Sequence, residues 1–488
     1  MKNLKRLIAI LCVIPFCAYT QNYQLVHPEK VSAFLSQDDL IYFLAIDSIS
    51  STDNRILYPN RINTQVEEWC YSPFQASWIG RSIIAGDDGI YYFLNKSNDS
   101  IAIYSQALPG EEWVALELDG YIYKANVISL DYGEFLGIED SIKTIGFQVY
   151  DLELNPLESY LNDLQIKISK SHGLIQTLNF FIFPHYYFGI WYESQVQELA
   201  LAGLSSPEVG VQNLTWKDVH DHQPGDILHV LRKNGIWEGE VDGYFKTTET
   251  RKTMEFLERT DYNDSIVYSY LLNKRVHLQW LDSLAFYTDT VKMVVEPDPD
   301  FDKYPMEPIF YYSQGDPLTF TYNWMKTGEE HLMKWEMSIE FEKITENCWE
   351  PVMFDGFPRQ YWEGLGGPYY PEIGLFGYLY QRELVYYKKG DVTWGTPLDM
   401  TSIEAETLAD RIRVYPNPAK DILKVRLENP HQHGAQLRIT DLNGRLMHTE
   451  TLQSGINSIR ISHLSPGLYF CVITCRQGRT IVQKIVVK

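Results

Sequence analysis

The sequence predicts a mainly β protein built from antiparallel sheets, and three features of the chain support that prediction. The 34 Tyr and 12 Trp residues are of types that pack well on pleated surfaces. Short runs of alternating apolar and polar residues recur, and turn residues separate them. Segments with a helical period are few, and the best of them, Val196–Gly203, is shorter than three turns.

The length and charge of the chain limit its domain count and its partners. A chain of 488 residues is predicted to form roughly three domains, at about 150 residues each. The formal net charge is −22, and residues 21–408 supply the excess of acids, because the last 80 residues contain 12 basic and 5 acidic residues. An acidic body repels polynucleotides and anionic membranes through its long-range field. We therefore expect no nucleic-acid partner.

Residues 1–20 have the three parts of a signal peptide. Three basic residues form a charged start, Leu7–Phe16 is apolar, and Ala18-Tyr19-Thr20 precedes the predicted cleavage site. The apolar run is too short for a lasting anchor, and no later run reaches about eighteen apolar residues, so no transmembrane segment is predicted. Cys17 suggests a lipoprotein as the alternative, but Ile14-Pro15-Phe16 lacks the small residues that a lipobox needs.

The body of the chain is predicted to hold two β-rich domains, an antiparallel β domain over 21–189 and a second over 190–400. In the first, Ile90–Leu94 follows the turn Gly86-Asp87-Asp88-Gly89, which indicates a β-hairpin. In the second, the Pro and Asp residues of Glu296–Asp302 indicate a solvated linker or a long loop. Residues 401–411 are polar, lack a strand pattern, and are predicted to link the body to the tail.

Four cysteines follow the predicted leader. Cys471 and Cys475 lie four apart in a predicted strand, so their Cα atoms would be about 13 Å apart, too far for a disulfide. Cys70 and Cys348 could pair in an oxidising envelope.

The C-terminal tail, 412–488, reads as a separate all-β module of seven strands, which predicts an immunoglobulin-like β-sandwich. The predicted strands are Arg413–Tyr415, Ile422–Leu427, Leu437–Asp441, Leu446–Leu452, Ser458–Ile461, Gly467–Thr474 and Thr480–Val487.

Four motifs in this tail resemble the type A sorting domain of the type IX secretion system. They are the opening Tyr415-Pro416-Asn417-Pro418, the turn Asp441-Leu442-Asn443-Gly444-Arg445, the run Leu464–Tyr469 that contains Gly467, and the ending Lys484–Lys488. The resemblance implies export across the outer membrane, removal of the tail by a surface sortase, and attachment of the body to an anionic lipopolysaccharide. We expect the tail to be cleaved within Thr401–Arg413. The body resembles other secreted cargo proteins with this tail, a resemblance that implies no particular activity.

Two polar clusters in the body contain residue types that bind metal ions. His220 and His222 would face one side of a strand and could bind a transition metal with Asp226, His229 or His185, but no third ligand stands at a defined spacing. A polar loop is the alternative. Asp298, Asp300 and Asp302 alternate as in calcium loops, yet the Gly and Glu of an EF-hand are missing, which favours a solvated linker. No metal, cofactor or catalytic residue is predicted.

The run Trp362–Tyr370 is predicted to be the ligand surface of the body. Trp362, Tyr369 and Tyr370 combine three large rings with Gly364, Gly366 and Gly367, which allow a close backbone approach. Rigid aromatic side chains lose little entropy on binding. Burial of the same rings in the core is the alternative, and further rings that could extend the surface are Tyr378, Tyr380, Tyr386, Tyr387 and Trp394.

Catalytic motifs are weak in this sequence. Glu350 and Glu363 each lie beside a Trp and suggest a glycosidase carboxylate pair, while no Gly-x-Ser-x-Gly or His-Glu-x-x-His motif is present. A Ser/His/Asp triad assembled from distant residues would leave no local motif. We therefore predict a non-enzymatic binding or structural body with a glycan or protein ligand. The alternative is a secreted hydrolase of polysaccharide or peptide.

Six Asp-Ser/Thr-aliphatic triplets resemble the O-glycosylation sites of bacteria that carry type IX systems. An ordinary turn entering a strand would have the same residues. The resemblance implies that at least one hydroxyl is glycosylated among Ser48, Ser100, Ser141, Ser265, Ser283 and Thr290.

Overall fold

The computed structural model describes residues 22–51, 55–67, 70–185, 187–188, 193–238, 244–281, 283–311, 318–328, 331–345, 347–353, 358–375, 377–400, 412–427, 435–442, 444–453, 455–474 and 480–488. Within them nearly all regular structure is antiparallel β, as the sequence predicts. The predicted signal peptide, most of the predicted cleavage segment and Cys475 lie outside the described residues. No helix in the described ranges has the length and apolar character to cross a membrane.

Eighteen strands precede the α-helix, among the described residues. They are β1 (Ser32–Leu35), β2 (Leu40–Leu44), β3 (Ile46–Ser51), β4 (Arg55–Pro59), β5 (Ile62–Glu67), β6 (Cys70–Ala76), β7 (Ile83–Ala85), β8 (Ile90–Leu94), β9 (Ser100–Tyr104), β10 (Glu112–Leu118), β11 (Tyr121–Phe135), β12 (Ile138–Asp151), β13 (Gln165–Ser169), β14 (Gly173–Leu178), β15 (Tyr187–Phe188), β16 (Glu193–Ser194), β17 (Glu198–Ser205) and β18 (Glu208–Gly210). A 3-10 helix, Tyr160–Asp163, lies between β12 and β13.

The single described α-helix, α1, is Trp216–Val219. Later body strands are β19 (Ile227–Glu238), β20 (Tyr244–Asp261), β21 (Ile266–Leu278), β22 (Ser283–Val295), β23 (Ile309–Tyr311), β24 (Leu318–Thr327), β25 (Leu332–Thr345), β26 (Cys348–Met353), β27 (Arg359–Trp362), β28 (Gly366–Leu375), β29 (Tyr378–Lys389) and β30 (Val392–Gly395). Tail strands are β31 (Ile412–Tyr415), β32 (Ile422–Leu427), β33 (Ala435–Thr440), β34 (Leu446–Leu452), β35 (Gly455–Arg460), β36 (Gly467–Thr474) and β37 (Thr480–Val487).

The predicted hairpin in the first part of the body is confirmed. β7 pairs with β8 antiparallel, and the amide of Gly89 donates to the carbonyl of Gly86 at 3.1 Å to close the turn. Gly89 has a φ of +82°, a left-handed conformation that glycine adopts without strain. The hairpin belongs to a five-stranded sheet of β3, β4, β7, β8 and β9, which packs on the largest apolar core.

Strands on both sides of residue 189 share one sheet. β17 pairs with β1 and with β14, and its Leu199 lies in the same apolar core as Tyr23 and Phe180. β2 pairs in turn with β24. The division of the body near residue 189 stays a prediction.

The segment with the best helical period, Val196–Gly203, forms a short loop and most of strand β17, in keeping with the mainly β prediction. The pairings of β17 with β1 and β14 satisfy its backbone groups from two sides. An eight-residue helix would leave most of its terminal backbone groups without intrahelical partners, so tertiary pairing decides the outcome.

A long twisted sheet forms the second half of the body. β19, β20, β21 and β22 follow one another as antiparallel hairpins, and β29 pairs with the other edge of β19. The other edge of β29 pairs with two strands. β28 pairs with the first half of β29, and β30 pairs with the last residues of β29.

A disulfide joins Cys70 of β6 to Cys348 of β26, the pairing that the sequence left open. Next to it, Tyr71 and Trp349 lie opposite each other in the ladder between the two strands. The link spans 278 residues and connects the two predicted parts of the body.

The acidic run Asp298–Asp302 is a loop, one of the two forms that the sequence indicates, and it packs against the body. Phe301 is buried, and Asp302 Oδ1 accepts a hydrogen bond from the amide of Trp216 at 2.7 Å. The buried ammonium of Lys334 donates to the carbonyl oxygens of Phe301, Lys303 and Leu214. The ammonium thus bonds three backbone carbonyl oxygens beside the acidic run.

The seven tail strands agree closely with the predicted ones. β31, β32 and β35 form one antiparallel sheet, and β33, β34, β36 and β37 form a second. Apolar residues of both sheets form one buried cluster that includes Leu423, Ile439 and Tyr469. Cys471 is buried there as a free thiol, and burial raises its pKa to about 12. The immunoglobulin-like topology itself stays a prediction.

Candidate ligand-binding site

The predicted ligand run folds as the hairpin β27–β28. Gln360 lies opposite Tyr369 and Trp362 opposite Gly366 in its ladder. Gly366 has a φ of +81°, and a Cβ on Gly367 would lie 2.7 Å from Tyr361 Cδ1 and 2.8 Å from the Gln360 carbonyl oxygen. Glycine is therefore required for this tight turn.

The three predicted rings do not share one environment. Tyr369 is buried, and its hydroxyl donates to the carbonyl of Leu365 at 2.6 Å. Burial raises the pKa of Tyr369 above its ordinary value, while the Arg382 charge opposes the shift. Trp362 and Tyr370 are half-buried. Tyr369 is thus a folding residue, and the other two rings remain accessible.

Trp362 and Tyr370 line an open cleft beside β29, which we call the aromatic cleft. Its volume is about 490 Å³. The ladder between β28 and β29 reaches Arg382, and the ladder between β30 and β29 resumes at Tyr386. The cleft occupies this interval. Its lining residues are Gln360, Trp362, Tyr369, Tyr370, Pro371, Glu383, Leu384, Val385, Trp394, Gly395 and Thr396.

Trp394 supplies the most accessible ring of the aromatic cleft. Its side chain is 49% exposed, and it stacks on the buried ring of Tyr387 with centroids 5.9 Å apart. Trp394 therefore extends the predicted surface, whereas Tyr387 supports it from below. Tyr378 and Tyr380 stack on each other at 6.0 Å, farther along β29, and do not line the cleft.

A second, smaller pocket of about 280 Å³ is polar. Asp218, Asp221, His331, Glu363, Gly364 and Lys389 line it. Its charges are largely paired within the protein: Lys389 Nζ contacts Asp226 Oδ2 at 3.1 Å, and Arg259 forms an ion pair with Asp221. His331 Nε2 is 3.1 Å from the hydroxyl of Tyr387. These pairings hold the loop after α1 against β29.

The two histidines that the sequence suggested as metal ligands lie in the core after α1. His220 Nδ1 is 3.0 Å from the carbonyl of Trp216, and the His222 ring stacks on Phe256 with centroids 4.0 Å apart. Burial lowers the pKa of both imidazoles, that of His222 furthest. Among the described residues, no group of three or more His, Cys, Asp or Glu side chains is placed to hold a metal ion.

Glu350 and Glu363 are not brought together. On β25, Glu350 lies opposite Glu342 and Trp362 opposite Met333, nine residues away. That interval corresponds to about 30 Å of extended strand, whereas glycosidase carboxylates are separated by about 5–10 Å. The proposed carboxylate pair therefore does not form.

A cluster of Ser169, His172 and Asp140 is present, and sequence reasoning did not name it. Ser169 Oγ donates to Asp140 Oδ2 at 2.5 Å and accepts from the amide of His172 at 3.1 Å. Ser169 is fully buried, and its hydroxyl proton points to the carboxylate and not to the imidazole. Burial opposes ionisation of Asp140, but the hydrogen bonds from Ser169 and Ser171 lower its pKa overall. The cluster fastens the turn between β13 and β14.

The predicted glycosylation hydroxyls differ in access. Ser48, Ser100, Ser283 and Thr290 are exposed, and Ser265 is half-buried. Ser141 lies within β12, and its Oγ is 2.8 Å from the hydroxyl of Tyr23.

The tail motif residues build turns and join the two tail sheets. Asn417 donates to the carbonyl of Lys484 and accepts from the amide of Val486, both at 2.9 Å. Asp441 Oδ1 accepts from the amide of Arg445 at 2.9 Å and shapes the turn that contains Gly444. Tyr469, after Gly467, donates its hydroxyl proton to the Ser465 carbonyl at 2.8 Å. Tyr415, Pro416 and Pro418 lie beside Asn417 on the surface.

Comparison with known proteins concerns mainly the tail. No curated protein matches the chain. Among solved structures, the extracellular domain assigned to a one-component system of B. thetaiotaomicron aligns with 96% of this chain and 99% of its own length, at 9% identity and a TM-score of 0.14. Similarity at that level carries no structural conclusion.

Residues 413–488 match the family model described as the secretion system C-terminal sorting domain. The match agrees with the Tyr415-Pro416-Asn417-Pro418 opening and with the turn and end motifs. Residues 413–488 are therefore identified as a type IX sorting domain, which directs export across the outer membrane to the cell surface or the extracellular space.

Proposed function

We propose that the chain is a secreted protein attached to the cell surface, whose body binds a glycan in the aromatic cleft without catalysing a reaction. The observation that carries this proposal is the convergence of Trp362, Tyr370 and Trp394 on one open cleft of about 490 Å³. Ligand sites are typically concave and largely apolar, with a few polar groups that orient the ligand. Gln360, Glu383 and Thr396 supply such groups here.

The contacts that hold the cleft in place favour binding. Trp394 stacks on Tyr387, and the Tyr369 hydroxyl fastens β28 to the Leu365 carbonyl, so the cleft is rigid before a ligand arrives. Preorganised aromatic side chains lose little conformational entropy on binding. Planar rings at an open surface suit the apolar faces of sugars, whose hydroxyls would reach the polar lining.

Attachment to the surface rests on the tail. The type IX sorting domain supports recognition by the secretion machinery, and the resemblance of its motifs implies removal by a sortase. In this proposal, cleavage falls within Thr401–Arg413 and the body remains joined to anionic lipopolysaccharide.

A secreted hydrolase of polysaccharide or peptide is less well supported. Hydrolysis of a glycoside ordinarily needs two carboxyl groups that flank the bond. Glu350 and Glu363 lie about 30 Å apart along β25. Of the described residues that line the aromatic cleft, Glu383 is the one carboxylate.

A glycan array with the full chain tests the proposal. Trp394→Ala combined with Tyr370→Ala should weaken binding at least tenfold and leave the melting temperature nearly unchanged, because Trp394 is half exposed. Trp280→Ala is the matched control, since Trp280 is similarly exposed in the turn between β21 and β22. Equal binding by the double variant contradicts the proposal, and so does turnover of any bound polymer. Binding of proteins alone would replace the glycan with a protein ligand.

A further inference from the structure

Four basic residues lie side by side on one face of the long sheet, and we call them the basic quartet: Arg232, Lys252, Lys274 and Arg382. Arg232 of β19 lies directly opposite Arg382 of β29, and Lys252 of β20 lies directly opposite Lys274 of β21. Lys252 is also opposite Val230, two residues from Arg232, so both pairs share a face. Cβ atoms of directly opposite residues are about 5 Å apart.

The positive charges of the basic quartet are not neutralised within the described chain. None of the four forms an ion pair there, and Arg232 Nε donates instead to Asn234 Oδ1 at 3.3 Å. Lys274 lies 5.5 Å from the ring centroid of Tyr287, and Arg382 is 5.9 Å from that of Tyr369. One acid on this face is near, Asp289 of β22, diagonal to Lys274.

Placing four like charges together is unfavourable, because each disfavours the charged form of its neighbours. Burial lowers the pKa of Lys252, and the charges of Arg382, Lys274 and Arg232 lower it further. The chain as a whole has a net charge of −22, so these cations run against its overall charge. An anion bound among them would remove the repulsion and would therefore bind favourably.

The basic quartet is continuous with the aromatic cleft. Tyr370, which lines the cleft, lies directly opposite Arg382, and Leu384 lines the cleft two residues farther along β29. From β29 to β21 the quartet extends across three strand spacings, or about 14 Å. A chain-like ligand that starts in the cleft would therefore cross the quartet.

We propose that the ligand of the aromatic cleft is an acidic glycan, with sugar rings on Trp394, Trp362 and Tyr370 and with carboxylate or sulfate groups on the basic quartet. This inference rests on the proposed glycan-binding function and adds the charge of the ligand. Arg232 and Arg382 offer planar donor groups suited to bidentate contact with either anion, and Lys252 and Lys274 add point charges.

Binding measurements with the full chain and three probes test this inference. The probes are oligogalacturonate, which carries carboxylates, dextran sulfate, which carries sulfates, and neutral dextran. We expect at least one anionic probe to bind ten-fold or more tightly than neutral dextran. Lys252→Gln combined with Lys274→Gln should remove that advantage and reduce the salt dependence of Kd. The probe that loses affinity identifies the anion.

Lys292→Gln combined with Lys388→Gln is the matched control. Both residues are exposed, lie on the same sheet outside the quartet, and change the net charge equally. If the control pair weakens anionic binding as much as the quartet pair, attraction is unspecific and the inference is wrong. Equal affinity for anionic and neutral probes also overturns it, but leaves the glycan-binding function intact if Trp394→Ala still abolishes binding. If the unaltered chain binds no glycan at all, both the glycan-binding function and this inference are wrong.

Discussion

The ammonium of Lys334 donates a hydrogen bond to the carbonyl oxygen of Lys303 at 2.8 Å, and this contact ties the loop before β23 to β25. The carbonyl of Phe301 accepts from the same Nζ atom, and the Lys334 side chain is fully buried. Lys334→Met should lower the free energy of unfolding by about 2–4 kcal/mol, because it leaves buried carbonyl groups without donors. Urea denaturation measures this, with the exposed Lys388→Met as control. An equal or higher stability of Lys334→Met would refute the role of the ammonium.

Glu307 should make stability depend on pH. Burial, followed by the charge of Asp47, raises the pKa of Glu307 from 4.5 to about 7. Between these values the folded state binds a proton that the unfolded state has lost. The stabilisation is therefore complete below about pH 4.5 and is lost as pH rises through 7. Relative to Glu307→Gln, the unaltered chain should lose about 1–3 kcal/mol over this range. Parallel stability profiles for the two proteins would contradict the assignment.

The disulfide between Cys70 and Cys348 should stabilise the body. It closes a loop of 278 residues and so restricts the unfolded chain. Cys70→Ser combined with Cys348→Ser should cost about 2–4 kcal/mol and lower the melting temperature. Dithiothreitol should have the same effect on the unaltered chain and none on the double variant. A double variant that still responds to the reductant would mean that another bond is responsible.

Removal of the sorting domain should stop export. A chain that lacks residues 413–488 should accumulate in the periplasm, whereas the intact chain reaches the surface or the medium. Cell fractionation followed by mass spectrometry of the exported body measures both the location and the new C-terminus, expected within Thr401–Arg413. A truncated chain found at the surface would contradict this route.

Glycosylation should follow access to the hydroxyl. Ser48, Ser100, Ser283 and Thr290 are exposed, and at least one of them should carry a glycan in the exported protein. Ser141 should remain unmodified, because its hydroxyl contacts Tyr23 within β12. Site-resolved mass spectrometry distinguishes these outcomes, and a glycan on Ser141 alone would contradict the prediction.

The sequence predicts the tail well because its signals are local. Leu423-Lys424-Val425-Arg426-Leu427 alternates along β32, and the buried positions are Leu423, Val425 and Leu427. The body is harder, because long-range pairings decide it. Val196–Gly203 shows a helical period, yet most of it forms β17, because β17 pairs with β1 and β14. Conversely, the capping box of Thr215 and Asp218 is a local signal in the sequence for the start of α1.

Part of the candidate site can be predicted from the sequence. The aromatic run drew attention to Trp362 and Tyr370, since large rings among glycines are unusual. Tyr369 is buried because side chains alternate between the two faces of β28. The sequence alone does not show which residues of β27 lie opposite those of β28, so it does not show which face is buried. The basic quartet could not be predicted from the sequence, because its members are up to 150 residues apart. They become neighbours only when four strands pair side by side.

Asn417 fastens the opening of the tail to its final strand through Lys484 and Val486, and Ala419 adds a bond between its amide and the Val486 carbonyl at 2.8 Å. The sorting domain therefore cannot finish folding until residues 480–488 have been synthesised. A chain broken off by premature termination would lack this closure, however well its body had folded. A chain that stops before residue 480 should therefore present an incomplete sorting domain to the secretion machinery.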